Sequence, residues 1–213
     1  MKKYLVIGNP IEHSLSPMLH NYWIKKNNID AVYEKKKLDE NELKNIIDDV
    51  KKKKLNGVNI TVPFKKTIIP FLDNLSTEAN QTQSVNTIYL NNGKIIGHNT
   101  DAAGFELAIK KLKYNLNNKK VFILGAGGVV SSIIFALNKM NPSEIILANR
   151  TKEKTLILKD SFKNIKIIDW GEIPNFDMII NATSLGLKET DKINLDFSNI
   201  GQNKIFYDVI YNP

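Results

Sequence analysis

Apolar residues in this chain follow two rhythms: short unbroken runs closed by glycine, proline or asparagine, and stripes spaced three or four residues apart. Tyr4-Leu5-Val6-Ile7 runs into Gly8-Asn9-Pro10, which predicts a short buried strand followed by turn chemistry. Ser16-Pro17 predicts a helix start, with Ser16 as N-cap, Pro17 in the first helical position, and Met18, Leu19, Tyr22 and Trp23 at helical spacing. Residues 31–38 predict a second strand. Asp39 is placed to cap the next helix, whose Leu43, Ile46, Ile47 and Val50 fall on one stripe. A third strand is predicted over residues 57–62, stopped by Pro63, so this stretch reads β-α-β-α-β and implies a largely parallel sheet.

Short helical pieces follow to about Asn80, then strands over residues 85–90 and 94–97 around the turn Asn91-Asn92-Gly93. Asp101 comes directly after that hairpin and before a helix over about 102–113, with 115–118 as a polar breaker. A second β-α-β series begins at Lys119, with strands at 121–124, 145–148, 165–168, 178–181 and 205–209 and helices after the first two. Neither a short fixed repeat nor a Gly/Ser-rich linker separates the two series.

Composition narrows the chemistry. With 42% hydrophobic and 24% charged residues the chain is ordinary for a globular protein, and 213 residues suffice for two small cores. It has no cysteine, which excludes disulfides, thiolate nucleophiles and cysteine-based metal sites, and fits a reducing, cytoplasmic setting. Only four apolar residues follow Met1-Lys2-Lys3, and no apolar run approaches the roughly 20 residues that cross a bilayer, so no export signal and no membrane partner are expected. The net charge of +8 could serve a polyanion, yet the densest run, Lys51-Lys52-Lys53-Lys54, closes a predicted helix where cations suit the dipole. A solvated helix end and a nucleic-acid patch both fit that run. The lack of a clear aromatic stacking platform favours the first, and no nucleic-acid partner is expected.

Val121-Phe122-Ile123-Leu124 leads into Gly125-Ala126-Gly127-Gly128 and then an apolar helical stripe at Ile133, Ile134 and Leu137. Strand, glycine turn and helix are what a dinucleotide pyrophosphate requires, because glycines admit the backbone and the helix N-terminus offers free N–H groups. Val130 stands where the strict glycine pattern has its last glycine, and a structural tight turn is the competing reading. The next strand ends in Asn149-Arg150-Thr151, with Lys154 one turn on, where an NAD-binding fold would place a carboxylate for the ribose. Arg150 is the sole arginine of the chain, and its planar fork of donors suits a 2′-phosphate; the alternative is a plain surface arginine. The predicted class is therefore α/β, an N-terminal α/β substrate domain with a mainly parallel sheet over 1–102, then a Rossmann-type NADP-binding domain over 103–213 joined by a helix over 103–113.

Seven ordered patterns give the chain a resemblance that covers nearly its whole length. They are Ser14-Leu15-Ser16-Pro17, Asn59-Ile60-Thr61-Val62-Pro63-Phe64-Lys65, Ser84-Val85-Asn86-Thr87, Asn99-Thr100-Asp101, the glycine turn with Asn149-Arg150-Thr151, Asn181-Ala182-Thr183-Ser184-Leu185-Gly186, and Tyr207-Asp208-Val209-Ile210-Tyr211-Asn212-Pro213. In these it resembles the shikimate dehydrogenase family. The resemblance implies reversible reduction of 3-dehydroshikimate to shikimate with NADPH, on the route through chorismate to aromatic amino acids, by a cytoplasmic monomer or homodimer acting on small molecules. It implies Lys65 as general acid and base with Asp101 as its orienting partner. It further implies Ser14, Ser16, Asn59, Thr61, Asn86 and Tyr211 around the substrate. Gly125, Ala126, Gly127, Gly128, Asn149, Arg150, Thr151, Lys154, Thr183 and Ser184 are implied around the cofactor. Read without it, Ser16 is more readily a helix cap, and Lys65 with Asp101 as readily a plain salt bridge.

The sequence also departs from the family pattern. Val129, Val130 and Ser131 stand where many relatives have small residues and then a basic one, and Ala102 stands where glycine is usual. Family chains normally continue past the final Asn-Pro with a helix, a strand and closing helices that carry a substrate-binding glutamine, whereas this sequence stops at Pro213. Two further readings are carried forward: a quinate/shikimate dehydrogenase using NAD, and a non-catalytic ligand-binding member of the family.

Overall fold

In the computed structural model, which describes residues 1–210, the first sheet is organised by β1 (Lys2–Gly8), whose Leu5-Val6-Ile7 run buries side chains on both faces. The chain leaves through α1 (Ser16–Lys26) to β2 (Ala31–Lys37), parallel to β1, then through α2 (Leu43–Lys51) to β3 (Gly57–Ile60), parallel on the other side. Next come α3 (Phe64–Thr67), the two-residue β4 (Asn74–Leu75), α4 (Thr77–Thr82), β5 (Thr87–Asn91) and β6 (Lys94–His98). The strand order is β2-β1-β3-β5-β6-β4, with antiparallel pairing only at β3–β5 and β5–β6. The β5–β6 hairpin turns on Asn92 and Gly93, both at positive φ (48° and 77°), the backbone that a tight two-residue hairpin demands.

The stripe expected on α2 is the buried one: Leu43, Ile46, Ile47 and Val50 pack against Leu5, Ile7, Val58 and Ile60 of the sheet. Asp39 does cap, but it caps a one-turn 3-10 segment, Glu40–Glu42, that runs into α2, and Glu42 closes the reciprocal bond to the Asp39 N–H at 2.9 Å. Two strands predicted in this sheet overshoot at one end by two residues. β3 ends at Ile60 because Thr61 starts the turn into α3, and the strand predicted from residue 85 begins at Thr87 because Asn86 is held by side-chain bonds. β4 was not foreseen, since two residues show no period.

The chain divides into two units, Met1–Asp101 and a second that begins at Ala102. The second takes all of α5 (Asp101–Lys111) but its first residue, followed by β7 (Lys120–Leu124), α6 (Val130–Lys139), β8 (Glu144–Ala148), α7 (Lys152–Ser161), β9 (Ile165–Ile167), β10 (Met178–Asn181) and β11 (Ile205–Asp208). All five strands are parallel in the order β11-β10-β7-β8-β9. Side chains of β7 alternate between two buried faces, Val121 and Ile123 toward α6 and Phe122 and Leu124 toward Phe176 and Ile179. The strand order reverses direction at β7, so the loops after β7 and β10 meet at the carboxyl edge where such sheets bind ligands.

The lysine run behaves as a solvated helix end. Lys51 closes α2, and Lys51 and Lys54 lie 3.9 and 3.5 Å from Asp73 and Asp49. Among the described residues no helix is long and apolar enough to cross a membrane.

Candidate active site

In the first unit a cleft of about 380 Å³ opens at the carboxyl ends of β1 and β3. Six of the residues singled out in the sequence line it, namely Ser16, Asn59, Thr61, Lys65, Asn86 and Asp101. Lys65 sits in the first turn of α3, tethered at its carbonyl by the Val85 N–H at 2.8 Å, while Asp101 is the first residue of α5, where a carboxylate suits the helix dipole. The Lys65 ammonium donates to Asp101 Oδ2 at 2.6 Å, and both side chains are largely buried (18% and 23% exposed). Asp101 keeps its other oxygen, Oδ1, on the Asn86 amide at 2.8 Å.

Asn86 is saturated. Its Nδ2 donates to Asp101 and to Thr100 Oγ1 (2.8 Å), and its Oδ1 accepts from the Thr100 N–H (3.0 Å) and the Thr87 hydroxyl (3.1 Å). Asn59 spends both amide hydrogens inside the protein, on Asn86 carbonyl (3.2 Å) and Thr87 Oγ1 (2.9 Å), so toward the cleft it can only accept. Its Oδ1 receives the Tyr33 hydroxyl at 2.6 Å. Burial pushes the Tyr33 phenol well above its ordinary range, with the Ser16 hydroxyl pulling the other way, so Tyr33 remains a donor. Tyr33 is fixed from α1: Asn21 exchanges two hydrogen bonds with its backbone, and the His20 ring stacks on it at 4.2 Å and 3°. Desolvation lowers the His20 pKa, which keeps the imidazole neutral.

Sequence reasoning missed His20, Tyr33, Thr87 and Thr100. The only signal for His20 was its place one turn after Ser16 on the same helix; Tyr33 reaches Asn59 because β1 pairs with both strands, a contact no local pattern shows.

The serine segment differs from expectation. The N-cap residue of α1 is Leu15, with no side-chain cap bond; Ser16 is already helical, and the Ser14 hydroxyl accepts the Ser16 N–H at 3.3 Å. Capping is thus not the work of Ser16, whose hydroxyl faces the cleft and Tyr33. Ser14 lies behind it as the local acceptor. Tyr211 lies outside the described residues.

In the second unit Gly125 is required by the fold. It has φ +105°, and a Cβ there would lie 2.7 Å from the Ala182 carbonyl oxygen. Gly127 and Gly128 are not so constrained: a Cβ on Gly127 meets only that oxygen at 3.9 Å, and one on Gly128 meets nothing within 4 Å. Their missing side chains leave open space before the first turn of α6, where the N–H groups of Gly127, Gly128 and Val129 find no partner among the described residues. At the end of β8, Arg150, Thr151 and Lys154 are exposed, and neither cation has a carboxylate partner among the described residues. Asn149 reaches over to the Thr151 carbonyl at 2.8 Å. The Thr183 hydroxyl is consumed within its own turn, donating to Asn181 Oδ1 (2.7 Å) and accepting from the Leu185 N–H (3.0 Å), whereas that of Ser184 is exposed and has no partner among the described residues. Open glycines, unpaired N–H groups and two unpaired cations form a set that fits a dinucleotide bearing a 2′-phosphate.

Comparison with known proteins finds family matches in both units. Residues 6–88 match the family described as "Shikimate dehydrogenase substrate binding domain", and residues 106–193 the one described as "Shikimate / quinate 5-dehydrogenase". The chain is 61% identical over 212 residues to the NADP(+) shikimate dehydrogenase of Pelagibacter ubique, matching all of this chain and 80% of that one. It is 38% identical over 210 residues to the enzyme of the same name from Aquifex aeolicus, covering 98% of this chain and 77% of that one. The crystal structure of shikimate dehydrogenase from Aquifex aeolicus superposes with a TM-score of 0.89 at 36% identity, over 99% of this chain and 79% of that one. The Thermus thermophilus enzyme in complex with NADP(H) and shikimate superposes with a TM-score of 0.89 at 29% identity, over 100% of this chain and 80% of that one.

Proposed function

The chain belongs to the shikimate dehydrogenase family, and from that premise we propose a mechanism for the reversible, NADP-dependent interconversion of shikimate and 3-dehydroshikimate. The protein is an oxidoreductase acting on a CH–OH group in the shikimate pathway. The substrate-binding catalytic domain is residues 1–102, and the NADP-binding domain is residues 103–213.

The observation that carries the mechanism is the 2.6 Å Lys65–Asp101 pair inside a polar cleft. Lys65 Nζ gives a proton to the carbonyl oxygen of 3-dehydroshikimate during reduction and takes it back during oxidation. Asp101 aims the ammonium, and Asn86, by holding Oδ1 of Asp101, aims the carboxylate. NADPH, when bound, supplies the hydride. The Ser16 hydroxyl, backed by Ser14 and by the start of α1, receives the substrate carboxylate. Asn59 accepts from a ring hydroxyl, Thr61 adds a second polar contact, and Asn86 reaches the ring only by exchanging one of its four bonds; Tyr211 joins the same set. Ala126 and the three glycines take the pyrophosphate, Asn149, Arg150, Thr151 and Lys154 the 2′-phosphate end, and Thr183 and Ser184 the nicotinamide end.

Lys65→Ala tests the assignment in a spectrophotometric assay with shikimate and NADP. Turnover is expected to fall about 10²–10⁴-fold while NADPH affinity stays within about twofold. Turnover at the native rate would remove Lys65 from proton transfer. An NAD-dependent quinate-oxidising role is not favoured, because β8 runs into Asn149-Arg150-Thr151, with a guanidinium that has no carboxylate partner among the described residues. A binding-only role is not favoured either, the proton-handling pair being intact. On this reading the protein works in the cytoplasm as a monomer or homodimer, its partners being the small-molecule substrate and cofactor, with neither nucleic acid nor membrane.

A further inference from the structure

β10 and β11 end side by side at Asn181 and Asp208, which are register partners. Asn181 is 8% exposed, and every hydrogen-bonding position of its carboxamide is engaged. Nδ2 donates to Asp208 Oδ2 at 3.0 Å and to the Leu185 carbonyl at 3.1 Å. Oδ1 accepts from the Thr183 N–H at 3.1 Å and the Thr183 hydroxyl at 2.7 Å. Asp208 uses its other oxygen to accept the Ile210 N–H at 2.8 Å. One amide and one carboxylate therefore tie together both ends of the loop that follows β10 and the segment that follows β11. The same loop abuts the glycine turn, through the contact that forbids a side chain on Gly125.

Valence makes the carboxylate at 208 hard to replace. Two donors point at its two oxygens, and both oxygens accept. An asparagine there offers one acceptor and one donor, so whichever way its amide turns, one contact becomes donor against donor. Packing does not need the group, because Asp208 is exposed. A charged, exposed residue whose bonds among the described residues go to one buried amide and one backbone N–H is suited to fixing a geometry rather than filling a core.

We propose that Asp208, acting through Asn181, is a positioning residue that sets the Ala182-Thr183-Ser184 backbone for the nicotinamide half of the cofactor. This rests on the assignment of Thr183 and Ser184 to that half. Asp208 touches no reacting atom; it holds the amide that holds the loop.

The test uses the full chain and two ligands, NADPH and adenosine 2′,5′-bisphosphate, which keeps the 2′-phosphate and adenine but lacks nicotinamide. Asp208→Asn and Asp208→Ala are expected to weaken NADPH on the order of tenfold and to leave the bisphosphate within about twofold. The exchange Asn181→Asp with Asp208→Asn reverses donor and acceptor across the pair and keeps the acceptor for Thr183, while setting a carboxylate oxygen against the Leu185 carbonyl; it should recover part of the loss. Equal weakening of both ligands would mean that the pair merely supports the unit, and unchanged NADPH affinity would mean that the loop needs no such tie; either overturns the proposal. Ser184→Leu separates it from its premise. If that variant weakens NADPH while the Asp208 variants do not, the loop assignment stands and the positioning role falls. If Ser184→Leu leaves NADPH untouched, the loop is not part of the cofactor site and both fall.

Discussion

His20 shows how a residue acquires its chemistry from neighbours distant in sequence. Its ring lies flat on Tyr33 and edge-on to Trp23 (5.6 Å, 84°), and desolvation lowers its pKa below the ordinary value of 6.5. The sign follows directly: the unfolded chain takes up a proton near pH 6.5 while the folded chain still resists it, so this contribution to stability is present above pH 6.5 and lost as pH falls through the lowered value. Denaturant unfolding of the native chain and of His20→Phe, compared at pH 7.5 and 5.5, should show a smaller acid loss in the variant, which keeps the stack but cannot titrate. An equal loss in both would place the acid sensitivity elsewhere. Single residues were only partly legible in the sequence. Lys65 and Asp101 stood out through the motifs around them, but their 2.6 Å contact spans 36 positions and depends on β5 and β6 carrying the chain back past α3. His20 and Tyr33 stood in plain view with no pattern to mark them, because their roles exist only once β2 lies beside β1.

Elements were more legible where burial imposes a period, and less so where side chains bond to backbone. The α2 stripe and the β7 run were plain because a helix and a central strand bury fixed periodicities. The start of α1 misled, since serine before proline looks like a cap while the structure gives the capping acceptor to Ser14. The glycine turn before α6 combines both situations, and its glycines can be separated by experiment. Gly125→Ala forces a side chain to φ +105° and within 2.7 Å of a carbonyl oxygen, and should lower stability by about 1–3 kcal/mol. Gly128→Ala meets no atom within 4 Å and should change stability by less than about 0.5 kcal/mol. Its methyl group nevertheless fills the space ahead of the free N–H groups, so NADPH affinity should fall on the order of tenfold. Thermal unfolding and NADPH titration of the two variants decide the point; Gly128→Ala with native affinity would show that the pyrophosphate does not use that space.

For the whole molecule the governing fact is that each unit has a core of its own, one centred on Ile7, Ile47 and Ile60, the other on Ile123, Ile134 and Ile180. Every residue lining the substrate cleft belongs to the first, and every cofactor residue assigned here belongs to the second. Binding energy delivered to one set of backbone amides should therefore be read out where it is delivered. In hydrogen exchange, shikimate alone should slow amides around residues 59–65, 85–87 and 100–101, while NADPH alone should slow those around 125–131, 149–154 and 182–185. At a ligand concentration of about 100 times Kd, amides that exchange only by opening the bound site should gain up to about 2.7 kcal/mol of protection. The free N–H groups of Gly127, Gly128 and Val129 make the sharpest marker. Among the described residues they have no internal bond to protect them, so slowing on NADPH is expected to come from the ligand itself. A shikimate footprint confined to the second unit would displace the substrate from the Lys65 cleft, and with it the proton-transfer assignment.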